Sequence, residues 1–248
     1  MTQKRILIIG ATSAVAQGIA QRYAQQRASI FCLARSPEKM EPIAQSLAEA
    51  YAGNFCYDFT QTDLAAEAIT KAIEALGHID IAIFAHGALL DQIESEHDYA
   101  VAYQTFAINQ LSVIAQLIPL SEQMEHQGSG KIGVITSVAG ERGRPRNYTY
   151  GAAKGSLNLY LQGLRSKLYN SGVEIYTFKM GPVDTPMTVD HEKNFSFSTV
   201  DEVSNTIVKG FESKRYERYV PGYWKLVMFF VRNMPEWLFQ RLNFLSSR

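Results

Sequence analysis

The chain has 248 residues, enough for one sizeable α/β domain with a substantial buried core. Charged residues make up 19% and apolar ones 46%, a balance that excludes a largely disordered chain. The 24 basic and 24 acidic side chains cancel, which argues against a general binder of nucleic acid or acidic polymers. In chain order, runs rich in Ile, Val and Phe at 5–9, 29–34, 54–58, 79–84, 131–136 and 173–179, with a short one at 217–220, are predicted strands. Amphipathic segments at 14–27, 38–51, 62–76, 98–126 and 150–171 are predicted helices. Strands alternating with helices imply a single doubly wound parallel sheet with helices on both faces, its ligands at the carboxyl ends of the strands. Cys32 and Cys56 fall in strand-like runs with neither disulfide nor metal spacing, so reduced core thiols and no metal site are expected. Lys4-Arg5, the apolar run Ile6–Ile9 and Ala14-Val-Ala16 superficially resemble an export signal, but the run is short and a glycine turn interrupts it. A cytoplasmic protein is therefore expected.

The first strand, a turn and a helix start are written in Ile6-Leu-Ile-Ile-Gly10-Ala-Thr12-Ser13-Ala14-Val15-Ala16-Gln-Gly18. A turn of this kind presents backbone N–H groups and a helix N-terminus to a pyrophosphate, and Gly10 supplies the bend that a side chain would obstruct. Ala14 and Ala16 stand where the dinucleotide fingerprint has its second and third glycines. At the end of the second strand, Ala34 occupies the place of the acid that would bind a ribose 2′-hydroxyl, and Arg35 follows it. A guanidinium there suits a 2′-phosphate, so NADP is the expected cofactor, with NAD the alternative. Asp58, closing the third predicted strand, either accepts from an adenine amine or caps the next helix.

Tyr150-Gly-Ala-Ala-Lys154 puts a phenol and an ammonium on one helical face. A free phenol, with a pKa near 10, is a poor proton donor or acceptor at neutrality, and a nearby cation favours its ionised form. A drop of about two units corresponds to roughly 3 kcal/mol and would make Tyr150 a general acid or base. Ser137, in Ile135-Thr-Ser137-Val-Ala-Gly140, ends the fifth strand at the ligand-binding edge, and Asn109 lies in the long preceding helix.

Taken in order, Asn109, Ser137, Tyr150 and Lys154 resemble the tetrad of the short-chain dehydrogenase/reductase family, which has a Rossmann-type fold. The resemblance implies NAD(P)-dependent hydride transfer between a carbonyl and an alcohol. Ser137 would bond the reacting oxygen, Tyr150 would transfer its proton, Lys154 would bind the nicotinamide ribose and tune Tyr150, and Asn109 would hold a relay water. Phe84-Ala85-His86-Gly87 resembles the family's Asn-Asn-Ala-Gly segment, with His86 read as a structural variant rather than a catalyst. Met180-Gly181-Pro-Val183-Asp-Thr185 resembles its Pro-Gly motif, with Met180 in place of proline. There the Val183 backbone would meet the carboxamide and Thr185 the cofactor. Ala85, Gly87 and Gly181 complete the implied cofactor cradle. Homo-dimers or tetramers are implied as well.

The stretch from Asn109 to Tyr150, including Gln123-Met-Glu-His-Gln-Gly and Ala139-Gly-Glu-Arg142-Gly-Arg144-Pro-Arg146, resembles one subgroup in particular, the decaprenylphosphoryl-ketoribose reductases. That resemblance implies a lipid-linked keto-sugar. A soluble oxoacyl or sugar ketone, or a nucleotide-sensing regulator without turnover, are the alternatives. Residues 1–221 are read as the catalytic domain and 222–248 as an aromatic, basic tail. Its longest apolar stretch, Leu226 to Val231, is too short to span a bilayer. Trp224, Trp237 and the phenylalanines, interleaved with Lys225, Arg232, Arg241 and Arg248, suit an interfacial helix at the inner membrane surface, a substrate lid or a subunit contact. Pro235 is expected to bend or split that helix.

Overall fold

The computed structural model describes residues 3–189 and 196–242, and the sequence readings on Arg248 lie outside them. Seven strands form one parallel sheet: β1 (Arg5–Ile9), β2 (Ser29–Ala34), β3 (Tyr51–Cys56), β4 (Ile81–Phe84), β5 (Gly130–Ser137), β6 (Val173–Met180) and β7 (Glu217–Val220). Their spatial order is β3-β2-β1-β4-β5-β6-β7, so the direction of winding reverses between β1 and β4. In doubly wound sheets that reversal opens a crevice at the carboxyl edge.

Alternation along the strands sends side chains to two cores. Ile6, Ile8, Ile30, Cys32 and Ile83 meet helices α1 (Ala14–Gln25), α2 (Met40–Leu47) and α8 (Val200–Gly210) through Ile19, Ile43 and Ile207. Leu7, Ile9, Leu33, Phe84 and Val134 meet α3 (Ala65–Leu76), α6 (Ser112–Gln127) and α7 (Tyr148–Lys167) through Ile69, Leu117 and Leu157. The central strands are buried on both faces, which explains why they read as continuous apolar runs rather than alternating ones. Cys32 and Cys56 are both free thiols; Cys32 is buried and Cys56 half-buried.

Several expectations shift. The predicted helix over 38–51 is shorter: α2 ends at Leu47, Ala48 takes a positive φ of 48°, and the third strand starts at Tyr51, not 54. That strand also stops at Cys56, leaving Asp58 two residues beyond it. Two short helices, α4 (Gln92–His97) and α5 (Tyr99–Phe106), begin at Asp91 and Asp98, whose carboxylates cap them. The predicted helix over 98–126 is continuous in direction but contains a π-turn, Ala107–Leu111, with Asn109 at its centre. Such turns insert a residue and re-aim side chains, and they recur at functional positions. No periodicity in the sequence announces one.

After β7 the chain forms α9 (Trp224–Asn233) and a single turn, α10 (Glu236–Phe239), split by Pro235 as expected. Met228, Val231 and Phe239 pack with Val138 in a third cluster. Among the described residues no helix is long and apolar enough to cross a membrane.

Candidate active site

At the end of β1, Gly10 turns with φ 82°, and a Cβ there would come within 2.7 Å of the His86 backbone nitrogen. Both the dihedral and the contact exclude a larger residue. The N–H groups of Gly10 and Ala11 bond to the carbonyl of Leu33, tying the turn to β2. Ser13 then begins α1 in an extended conformation without using its side chain as a cap, which leaves the first-turn N–H groups at Ala14 and Val15, next to Thr12, without a side-chain partner from it. Anion binding at such a helix start is a general property of the peptide dipoles. Gly18 lies elsewhere: it packs against Ser204 of α8. A dinucleotide fits the donor set at the end of β1.

Arg35 is exposed just past β2. The Asp58 carboxylate accepts from the Thr60 N–H at 3.0 Å and its hydroxyl at 2.9 Å, so it caps the following turn. The Thr60 N–H chiefly holds its pKa below the usual range, with Arg35 adding a smaller pull. Ala85 extends the β4 end by donating to Ile9 at 2.8 Å.

The tetrad candidates lie beyond β4 and β5. Ser137 is the last residue of β5; its hydroxyl accepts from the Ala139 N–H at 3.1 Å and has a long contact, 3.4 Å, with the Met180 carbonyl. Tyr150 and Lys154 sit one turn apart in α7, with Lys154 Nζ 5.9 Å from the centroid of the Tyr150 ring. Lys154 is buried, and its Nζ and the Asn109 Oδ1 close on Gly87, where a Cβ would come within 3.2 and 2.8 Å of them. Asn109 donates to the carbonyls of Ala88 at 2.8 Å and Thr105 at 2.9 Å, and accepts from the Ala88 N–H at 3.1 Å. Both amide protons are therefore used, and Oδ1 keeps one lone pair.

The electrostatics correct the cation-tuning argument. Burial pushes the Tyr150 phenol up to about 12, against a smaller downward pull from a hydrogen bond with Ser137. Burial also pushes Lys154 down to about 8. Desolvation disfavours both charged forms, and an ammonium at this distance does not overcome it. At neutral pH Tyr150 thus holds its proton.

His86 is half-buried against Phe59 and shares a hydrogen bond with Ser112 at 3.0 Å; desolvation, then Lys154 and Arg35, push it down to about 3. Met180 ends β6, pairing with both Ser137 and Val220, as a residue with an N–H can. Trp224 lies against Gly181. Val183 is buried, and Thr185 precedes a turn whose Thr188 hydroxyl donates to the Val183 carbonyl at 2.6 Å.

Sequence reasoning missed the frame around this site. Gln92 accepts from the Thr149 N–H at 3.0 Å, fixing the start of α7. Glu141 receives Lys179 at 2.7 Å and the Tyr219 hydroxyl at 2.9 Å, holding the loop after Ser137 to β6 and β7. Arg142 donates to the carbonyls of Val231 and Met234 at 2.9 and 2.6 Å and pairs with Glu236 at 2.6 Å. Glu141 also lies 3.7 Å from Arg232, so the loop brings one acid and one base to the tail and leaves its net charge unchanged.

A doubly wound sheet with a helix-start turn at one end and Ser, Tyr and Lys gathered beside it is the arrangement of a dinucleotide-dependent oxidoreductase. Residues 4–195 match the short chain dehydrogenase family, so the chain belongs to it and is an NAD(P)-dependent oxidoreductase. An uncharacterized oxidoreductase of Streptomyces coelicolor is 28% identical over 241 residues, covering 96% of each chain. The ketoacyl reductase HetN of a Nostoc species is 28% identical over 224 residues, 88% of this chain and 78% of its own. A short chain dehydrogenase from Burkholderia cenocepacia, solved in complex with NADP, superposes with a TM-score of 0.83 at 17% identity, covering 97% of this chain and 98% of that one.

Proposed function

We propose that the protein reduces a ketone to a secondary alcohol with NADPH, using Ser137, Tyr150, Lys154 and Asn109. When bound, the nicotinamide supplies the hydride. Ser137, at the edge of the sheet, donates a hydrogen bond to the carbonyl oxygen. As charge develops on that oxygen, Tyr150 delivers its phenolic proton. Lys154, beside the backbone of Gly87, orients the nicotinamide ribose and keeps a positive charge near the reacting atoms. The remaining lone pair of Asn109 can hold one water of a proton relay. Gly10, Thr12, Ser13, Ala14 and Val15 hold the pyrophosphate, and Arg35 pairs with the 2′-phosphate. Ala85, Gly87, Gly181, Val183 and Thr185 line the nicotinamide side. Residues 222–242 form part of the same domain.

The observation that supports this reading is the arrangement of Tyr150, hydrogen-bonded to Ser137 and one helical turn from the buried Lys154, whose Nζ lies 5.9 Å from its ring. Replacing Tyr150 by Phe keeps the ring and removes only the proton. Carbonyl-dependent NADPH oxidation should then fall about 100-fold or more, with NADPH affinity retained. Turnover within about tenfold of the parent would place the acid elsewhere.

A narrower reading, a lipid-linked keto-sugar as in the decaprenylphosphoryl-ketoribose reductases, is supported by α9. Leu226, Phe229 and Phe230 are each more than half exposed on this helix, whose other face closes over Val138, next to Ser137. Trp237 adds a fourth exposed apolar side chain. An apolar surface this close to the reacting residues suits an acyl or prenyl chain.

A further inference from the structure

Three arginines lie between Ser137 and Tyr150, and the fold treats them differently. Arg142 is satisfied by three main-chain carbonyls of the tail and by Glu236, with Phe239 stacked 4.1 Å from its guanidinium. Arg146 is exposed to water. Arg144 is only 8% exposed, its Nε has no hydrogen-bond partner, and its Nη2 reaches nothing better than the Met228 sulfur at 3.8 Å. Among the described residues no carboxylate pairs with it. Burial, then repulsion from Arg146, push its pKa down from the usual arginine range.

A guanidinium carries five N–H donors and does not give up its charge, and a thioether is a weak acceptor. Leaving such a group buried and unpaired is costly, and an apolar side chain would fill the same space without that cost. The position is defined as well. The Arg144 carbonyl accepts from the Asn147 N–H at 3.1 Å, one turn before α7. Met228, under the guanidinium, belongs to the cluster that contains Val138. The unused donors therefore sit beside the segment that carries Ser137, on the side closed by α9. Arg146 is near enough to repel Arg144, and two adjacent guanidiniums favour a group able to hold more than one negative charge over a single carboxylate.

We propose that Arg144 is a substrate-binding residue that takes the phosphate ester of a phosphorylated ketone. This rests on the ketone-reductase reading only for what lies next to the phosphate. The test uses calorimetry on the full chain saturated with NADP, so that the cofactor's own phosphate sites are filled. Dihydroxyacetone phosphate should bind about tenfold or more tightly than dihydroxyacetone, as expected for a bidentate charge-assisted pair. Arg144→Met, which suits the apolar surroundings, should remove that preference, and Arg144→Lys should keep part of it. Lys167→Ala, an exposed charge at the far end of α7, should leave it intact. Dihexanoyl phosphatidic acid below its micelle concentration forms a second arm. If it binds more tightly than dihydroxyacetone phosphate and loses affinity in Arg144→Met, the phosphate comes from a lipid; if it binds more weakly, from a soluble ester. No phosphate preference in the parent protein, or an undiminished one in Arg144→Met, overturns the proposal; the first outcome needs no variant to fold. Arg144-dependent binding without turnover on any ketone would sink the reductase reading and leave the anion site standing.

Discussion

At the end of β1 the chain builds its turn from near neighbours, whereas around Ser137 and Tyr150 it relies on distant ones. Gly10, Ala11 and Ser13 are held by bonds to Leu33 and to one another. The loop after Ser137, by contrast, is fixed by Arg142 gripping residues 89 to 94 positions away, and by Glu141 holding Lys179 and Tyr219. On the proposed reading, the first region offers backbone groups to the cofactor. The second presents side chains on a loop braced by main-chain carbonyls and Glu236 of the tail, so changes in α9 and α10 should reshape this side without disturbing the first. The consequence is a separation of roles: damage at one end should appear in cofactor affinity, at the other in turnover.

Lys154 is expected to show the largest departure from that separation, because the proposed mechanism gives it a part at both ends. With its pKa pushed down to about 8, it loses its proton as pH rises through that value, while Tyr150, pushed up to about 12, still holds its own. Ketone reduction should therefore be steady below this point and decline above it. Lys154→Arg, with a guanidinium that does not titrate, should move the decline upward. Lys154→Ala should lower turnover about 100-fold and weaken NADPH binding together. A pH–rate profile that stays in place in Lys154→Arg would assign the titration to another group. Arg35 should respect the separation. Arg35→Ala should weaken NADPH by about tenfold, the ~1.5 kcal/mol of one charge-assisted hydrogen bond, and leave NADH affinity and turnover alone. Equal dissociation constants for the two cofactors in the parent would end the NADP assignment.

What was legible in the sequence follows the same division. Gly10, Arg35, Ser137, Tyr150 and Lys154 could be placed because each sits at a strand end or on a helix whose period the sequence displays. Asn109 could be named, but its π-turn could not, since one inserted residue leaves no trace in an apolar pattern. The sign of the Tyr150 shift was misjudged for a related reason: a spacing of four reveals the neighbouring ammonium and says nothing of the desolvation that outweighs it. The contacts of the tail could not be read either, because Arg232 and Glu236 meet partners in the Ser137 loop, nearly a hundred residues away in sequence. Long-range pairing is invisible to local pattern, and it is what shapes the substrate side.

His86 joins the two regions and provides the mildest test of their coupling. Its backbone abuts Gly10, its ring lies edge-on to Phe59 at 4.8 Å, and its Nδ1 is buried without a partner. Burial first, then the positive charges of Lys154 and Arg35, hold it near 3, whereas an unfolded histidine titrates near 6.5. The folded state keeps this ring neutral, so between those values the unfolded chain binds a proton that the folded chain refuses. Stability from this source is complete above about pH 6.5 and declines as pH falls toward 3, at no more than about 1.4 kcal/mol per pH unit for one proton. His86→Asn removes the titrating group at similar size. Its absolute melting temperature will also reflect altered packing against Phe59, so the quantity to compare is the slope of stability against pH, from urea unfolding between neutrality and pH 4. A shallower slope in His86→Asn, with cofactor affinity retained at neutral pH, is the expected result. Parallel slopes would mean that the acid sensitivity of the fold originates in other groups and that the contact between the two ends carries no charge cost.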